Sequence, residues 1–261
     1  GGQGVIVVDD VIATDPPVAV APAVAPVAVA PAVALAPAAA PLGTLVPLYS
    51  YPTHPAWTAI VTAKLANPKV PVVAVVNPYN GPGTSPSATF TAGIAKLRAA
   101  GIKVIGYVAT GYANRTEATV QADMDRWKEW YPTVEGIFFD EMSNKLGFED
   151  YYRRLHAHAK GRGMPYTVGN PGADTRPSYV GVVSTILVYE NSGLRTLPTW
   201  HVMYPRENFG IISYAVGAMD ANYVQSAQRT VGFIFMTNDT LPNPWDTLPP
   251  YFSDLLGSLS I

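Results

Sequence analysis

The sequence predicts a (β/α)8 barrel, the TIM-barrel architecture, over residues 44–261, preceded by an extended Pro/Ala/Val-rich N-terminal arm over residues 1–43. Three observations support this prediction. Strand and helix signals alternate eight times after residue 44. The strand segments are mostly continuous apolar runs, as in a parallel sheet that helices cover on both faces. Polar side chains follow the strands directly, and the carboxyl ends of barrel strands are where active sites form.

Each strand is predicted from an apolar run that ends at turn-forming residues. In chain order the strands cover Leu45–Tyr51, Val72–Asn77, Lys103–Ala109, Gly136–Phe139, Tyr166–Gly169, Thr185–Tyr189, Gly210–Tyr214 and Gly232–Met236. The helices between them are predicted from apolar residues at helical spacing, with Gly or Pro beyond their ends. They cover Pro55–Ala66, Ala88–Ala100, a helix opened by Thr116 and Glu117, Phe148–Lys160, short segments near Pro177–Gly181 and Leu197–Tyr204, Ala221–Thr230, and Pro249–Leu259.

The N-terminal arm combines a short strand signal over residues 5–12 with a Pro/Ala/Val tract over residues 16–41. Prolines at 22, 26, 31, 37 and 41 exclude a regular helix and argue against a membrane span. Composition alone would make the arm a disordered linker. The alternatives are that it lies on its own barrel or on a neighbouring molecule. We expect docking on a neighbouring subunit, which gives a homo-oligomer or a head-to-tail filament.

Composition excludes several functional classes. The formal net charge is −2, so nothing indicates nucleic acid or an anionic membrane as a partner. The chain has no cysteine, which excludes disulfides and thiolate metal sites. Its four histidines have no zinc-like spacing with carboxylates and are read as surface or helix-end residues. We therefore expect neither a metal nor a cofactor.

Three carboxylates are the candidate catalytic residues. Asp140 and Glu141 end the fourth strand, and Glu190 ends the sixth. Alternate strands contribute to the same layer of a barrel, so Glu190 can converge with one of the pair. One protonated and one ionised carboxyl group are what glycoside hydrolysis requires. Glu190 and Asp140 would be the acid and its partner, while Glu141 positions the substrate. The alternative is that these carboxylates are buried for structural reasons only.

Amide and tyrosine side chains at the same strand ends are candidate substrate-binding residues. A cup lined by carboxylates, amides and aromatic rings suits a carbohydrate, which offers hydroxyl groups and apolar ring faces. The alternative for the amides is an ordinary turn. The candidates are Tyr49, Asn77, Tyr107, Asn170 and Asn238.

Five ordered motifs resemble the spherulin-4 (spherulation-specific) family over nearly all of residues 44–261. They are Leu45-Val-Pro-Leu-Tyr-Ser-Tyr-Pro, Val75-Val-Asn-Pro-Tyr-Asn-Gly-Pro-Gly, Val104-Ile-Gly-Tyr-Val-Ala-Thr-Gly-Tyr, Gly136-Ile-Phe-Phe-Asp-Glu and Asn170-Pro-Gly. The resemblance implies a TIM barrel related to glycoside hydrolases that cleave α-1,4-linked, galactosamine-containing exopolysaccharide. It also implies that Asp140, Glu141 and Glu190 are the functional acids. The arm lies outside the resemblance.

A polysaccharide substrate predicts an extracellular, secreted protein. The glycosylation triplets Asn114-Arg-Thr and Asn238-Asp-Thr agree with this location, although such triplets also arise by chance. A glycan on Asn238 would lie at the mouth of the barrel. The second hypothesis is a non-catalytic structural subunit of an extracellular filament, in which the cup is vestigial or binds sugar without cleaving it.

Overall fold

The structure, a computed structural model, describes residues 42–196 and 199–260 and confirms the (β/α)8 prediction. Eight parallel strands form one sheet in the order of the sequence. They are β1 Thr44–Leu48, β2 Val72–Val76, β3 Lys103–Ala109, β4 Gly136–Asp140, β5 Tyr166–Gly169, β6 Thr185–Ser192, β7 Phe209–Tyr214 and β8 Phe233–Met236. The predicted arm strand over residues 5–12 and the tract over residues 16–41 lie outside the described residues.

The helices follow the strands as predicted. They are α1 Pro55–Ala66, α2 Ala88–Ala99, α3 Glu117–Trp130, α4 Glu149–Gly161, α5 Ala221–Ala227 and α6 Phe252–Leu259. Ser87, Thr116 and Asp220 accept a backbone N–H at the first turns of α2, α3 and α5. Such side chains replace hydrogen bonds that the first turn of a helix cannot make internally.

The barrel closes where the chain enters it, at Gly43. The Gly43 N–H donates to the Gly232 carbonyl at 2.9 Å, and the Gly43 carbonyl accepts from Ile234 at 3.0 Å. A Cβ at this position would lie 2.7 Å from the carbonyl oxygen of Pro71, so only glycine fits. The first and last strands are thereby joined, and all eight carboxyl ends surround one rim.

The outer helices fix the strands that carry the site. Trp127 of α3 packs against Gly106, where a Cβ would lie 2.4 Å from its ring, and its Nε1 donates to the Tyr107 carbonyl at 2.8 Å. Trp127 is fully buried. Burying an aromatic side chain of this size stabilises the fold by about 2–3 kcal/mol. The contact holds β3, and with it Tyr107, in a fixed position.

The short helical segments predicted after β5 and β6 are the 3-10 helices Pro177–Tyr179 and Thr199–Met203. The structure differs from the sequence prediction at the end of β6. Strand β6 continues to Ser192, three residues beyond its predicted end. A bulge between Leu187 and Tyr189 resets the register, so that β6 keeps pairing with β7 up to Tyr214. Glu190 therefore lies within a strand.

The four histidines all make hydrogen bonds within the scaffold. His54 accepts from Ala56 at the start of α1, and His156, His158 and His201 contact Thr167, Asp125 and Asp174. Within residues 42–196 and 199–260, no three His, Asp or Glu side chains are grouped so that they could hold a metal ion. In the same part of the chain, none of the helices combines the length and apolar character that crossing a bilayer requires.

Candidate active site

Asn170 joins the two predicted catalytic carboxylates. It follows β5, which lies between β4 and β6 in the sheet. Its Nδ2 donates to Asp140 Oδ1 at 2.8 Å and to Glu190 Oε2 at 2.5 Å. The two carboxylate oxygens are therefore no more than 5.3 Å apart, the sum of the two hydrogen-bond lengths. Asp140 and Glu190 share one rim, and both are only partly buried, so solvent reaches them.

Tyr107 holds the other oxygen of Asp140. Its hydroxyl donates to Asp140 Oδ2 at 2.6 Å. Burial, and next the charge of Asp140, raise the pKa of Tyr107, so this phenol stays neutral and remains a donor. Its ring meets the ring of Tyr49 edge-on, with centroids 5.7 Å apart. Burial followed by the charges of Asp140 and Glu190 likewise raises the pKa of Tyr49. Two neutral tyrosines thus lie beside the carboxylate pair.

Glu190 has the environment of a proton donor. Burial, together with the nearby charge of Asp140, raises the pKa of Glu190 from 4.5 to about 7, against the hydrogen bond from Asn170 and the nearby indole of Trp245, which lower it. A carboxyl group with a pKa near neutrality is protonated often enough to donate a proton at physiological pH. At Asp140 donors hold both oxygens, Tyr107 on one and Asn170 on the other, so this carboxyl group is fixed in its orientation. The two carboxyl groups are therefore suited to different roles.

Glu141 lies directly after Asp140 and turns away from the strand. Its backbone φ is +50°, in the left-handed region that a residue with a side chain rarely adopts. The carbonyl of Glu141 accepts from the hydroxyl of Thr110 at 2.8 Å and from the N–H of Tyr112 at 2.7 Å. These bonds offset a conformational cost of order 1–3 kcal/mol. They leave the Glu141 side chain exposed at the rim.

Two residues that support the site were not predicted from the sequence. Thr110 follows β3 and fixes the backbone of Asp140 and Glu141 through its hydroxyl. Trp245 lies in the loop after β8; its indole lowers the pKa of Glu190, and its carbonyl accepts from the Tyr49 N–H at 2.9 Å. Thr110 could have been noticed from its place after a strand. Trp245 lies nine residues after β8, and no local pattern identifies it.

Two predicted substrate-binding amides lie apart from this network. Asn77, after β2, accepts from the N–H of Gly81 at 2.9 Å and so forms the local turn. Asn238, after β8, is exposed. Asn114 of the other glycosylation triplet is also exposed and donates to the Gly111 carbonyl at 2.7 Å. Sugar binding by Asn77 and Asn238, and glycosylation of Asn114 and Asn238, remain predictions.

Comparisons with known proteins agree with this architecture. The family described as "Spherulation-specific family 4" matches residues 43–259. The chain is 37% identical over 155 residues to Spherulin-4 of Physarum polycephalum, a match that covers 59% of this chain and 46% of that protein. The match thus spans about half of the length of that curated relative.

Among solved structures, the fold is similar to that of Sph3 from Aspergillus clavatus, determined in complex with GalNAc. The TM-score is 0.74 at 24% identity, and the similarity covers 85% of this chain and 98% of that one. An identity this low shows a common fold. It agrees with the barrel that the strand order and register define.

Proposed function

This chain belongs to the spherulation-specific family 4, and from that membership and its carboxylate pair we propose that it is a glycoside hydrolase acting on an amino-sugar polysaccharide. The observation that carries the proposal is the Asn170 amide, which holds Asp140 and Glu190 together at one rim. Two carboxyl groups with different protonation are the minimum for cleaving a glycosidic bond. The GalNAc bound to the similarly folded Sph3 supports an amino sugar as the substrate.

The spacing of the two carboxyl groups favours a retaining mechanism. Their nearest oxygens are at most 5.3 Å apart, whereas inverting enzymes separate the two groups by about 6.5–9.5 Å. Glu190 would give its proton to the glycosidic oxygen while an oxygen of Asp140 bonds to the anomeric carbon and the leaving sugar departs. Glu190 would then take a proton from water, which attacks the glycosyl ester and releases Asp140.

The surrounding residues have supporting roles in this proposal. Tyr107 and Asn170 orient Asp140 through both of its oxygens. Tyr49 lies against Tyr107 beside the carboxylates and is only partly buried, so its ring can offer apolar surface to a sugar ring. Glu141 positions the substrate, because its exposed side chain extends from the same rim.

The test is release of oligosaccharides from a galactosamine-containing polysaccharide. Glu190→Gln and Asp140→Asn should each lower the rate by at least about 10²-fold, because each removes a group that handles a proton or the glycosyl unit. Glu129→Gln, an exposed position on α3, is the matched control and should leave the rate unchanged. The proposal fails if wild type and both active-site variants release equally little. The anomer formed first, read by NMR, distinguishes retention from inversion.

The location that we propose is extracellular. A secreted polymer meets its hydrolase outside the cell, and both glycosylation triplets expose their asparagines. The measurement is the distribution of the protein between medium and cells, with a glycosidase-dependent change in mobility that Asn114→Gln or Asn238→Gln removes. Protein confined to the cells would count against this part of the proposal.

A second proposed function concerns the N-terminal arm. Residues 16–41 consist only of Pro, Ala, Val and Leu, so no polar side chain solvates them. We expect the arm to dock on a neighbouring subunit and to link barrels head to tail, whether or not they are catalytic. Deleting residues 1–41 should convert assemblies into monomers in light scattering. A monodisperse full-length monomer would contradict this function and leave the hydrolase proposal standing.

A further inference from the structure

The outward side of α1, a helix of 12 residues, carries no charge. Its exposed residues, here called the α1 face, are Pro55, Thr58, Ala59, Thr62, Leu65 and Ala66. The one charged residue of the helix, Lys64, is buried and donates to the carbonyls of Pro68 and Val70 at 2.8 and 2.7 Å. By contrast, α3 contains six acidic or basic residues and α4 contains five, histidines aside. A helix face that is exposed in the monomer and has no charged side chain is typical of a surface that a partner covers.

A groove runs along each side of the α1 face. The groove between α1 and α6 has a volume of about 810 Å³, and its lining includes Ala59, Thr62, Leu248, Pro249 and Phe252. No acidic or basic side chain from the described part of the chain lines this groove.

The groove between α1 and α2 has a volume of about 450 Å³ and is lined by Trp57, Val61 and Leu65, with Lys96 as the charged residue at its edge. Leu65 is 63% exposed. Apolar grooves of this kind on a soluble domain mark binding surfaces for apolar partners.

We propose that the α1 face and its two grooves bind the Pro/Ala/Val tract, residues 16–41, of a second copy of the chain. The inference rests on the arm docking proposed above and identifies the surface that receives it. Tract and face match in chemistry, since neither carries a charge, and Lys96, which lines the α1–α2 groove, is exposed and can stay in solvent. Proline-rich segments bind shallow apolar grooves well because their extended conformation loses little entropy on docking.

Length also favours this occupant. The 26 residues of the tract would span roughly 80 Å in a polyproline-II conformation, whereas α1 is about 18 Å long. Six or seven residues suffice to follow the α1 face. The remaining residues can bridge to the barrel that follows Leu42. A tract of this length can therefore link two barrels.

Crosslinking between full-length chains tests the contact directly, because the chain has no native cysteine. One population carries Ala59→Cys and the other, mass-tagged, carries Ala28→Cys. After mixing, a short bis-maleimide should join the two populations at a yield at least about tenfold above the control. The control replaces Ala59→Cys with Ala157→Cys, an exposed alanine on α4.

Equal crosslinking to the two helices would overturn the proposal. A dominant crosslink between two chains that both carry Ala59→Cys would also overturn it, because it would show two α1 faces in contact.

Charge substitution gives a second measurement. Ala59→Glu with Thr62→Glu should weaken self-association at least about tenfold, because assembly would bury two carboxylates. Ala118→Glu with Ala157→Glu, on exposed sites of α3 and α4, should not.

These measurements separate the two levels of the proposal. If the full-length chain does not assemble, the docking function of the arm fails. If it assembles and the α1 variants assemble equally well, the arm docks elsewhere and only this surface is wrong. Oligosaccharide release is independent of both outcomes.

Discussion

The active-site rim and the α1 face differ in where the chain places charge. At the rim, Asp140 and Glu190 are partly buried and held by neutral donors. On the α1 face, exposed positions that would tolerate any charge carry none, and Lys64 turns inward. A typical protein does the opposite, with charges outside and apolar groups inside. Both regions therefore indicate binding, the rim to a polar ligand and the α1 face to an apolar one.

The largest expected effect comes from removing the amide that holds the rim together. Asn170→Ala should lower the rate of oligosaccharide release by roughly 10²–10³-fold, because two carboxylates lose the donor that positions them. The control is Asn67→Ala, which removes a side chain that donates to the Ala63 carbonyl at the end of α1. If both variants keep wild-type activity, the bridging amide is not part of the catalytic machinery.

A smaller effect is expected on stability when the charge at the rim is removed. The pKa of Glu190 is raised from 4.5 to about 7, so between these values the folded protein binds a proton that the unfolded chain releases. Stability of the wild type should therefore fall as the pH rises through this window. Glu190→Gln cannot titrate. It should be more stable than wild type by up to about 3 kcal/mol at pH 8, and by little at pH 4.

Urea unfolding at both pH values measures this difference. Glu129→Gln, at an exposed position, should show no such dependence on pH. If the unfolding free energy of Glu190→Gln exceeds that of wild type by the same amount at pH 4 and pH 8, the surroundings do not raise the pKa of Glu190. The rim would then resemble an ordinary charged surface, and the comparison with the α1 face would weaken.

The barrel and the convergence of Asp140 and Glu190 could be predicted because the signals for them lie in short, local stretches of sequence. Continuous apolar runs such as Val72–Val76 have few alternatives to a buried parallel strand, and the barrel topology then brings the carboxyl ends together. Asn170, Tyr107 and Tyr49 were predicted as candidates on that basis, and they contact the carboxylates or each other.

Other features depend on contacts between distant segments. Trp245 reaches Glu190 from 55 positions along the chain, and the bulge that extends β6 arises from pairing with β7. The left-handed backbone of Glu141 is held by Thr110 and Tyr112 from the loop after β3. No pattern of sequence spacing predicts these contacts. The sequence shows that α1 contains a single charged residue, Lys64, but only the structure shows that this residue is buried and that the outward side is uncharged.

A third prediction concerns the pH profile of the rim. The indole of Trp245 lowers the pKa of Glu190, so Trp245→Phe, which removes the indole N–H, should raise that pKa. If protonated Glu190 is the acid, the alkaline limb of the rate profile should move to higher pH by roughly one unit. Tyr214→Phe is the control, since Tyr214 packs edge-on against Trp245 and its hydroxyl approaches Asn191 instead. A loss of rate without any shift would make Trp245 a packing residue only.

The smallest expected effect concerns the stability of the monomer when a charge is placed on the α1 face. Thr62→Glu on the α1 face should change the unfolding free energy of unassembled protein by less than about 0.5 kcal/mol, because the position is exposed and has no charged neighbour one turn away. Ala157→Glu on α4 should stabilise by a few tenths of a kcal/mol, since Arg153 and Lys160 lie one turn away on either side. Urea unfolding at low protein concentration and low salt measures both. A cost above about 1 kcal/mol for Thr62→Glu would mean that the α1 face is packed within the monomer rather than available to a second copy.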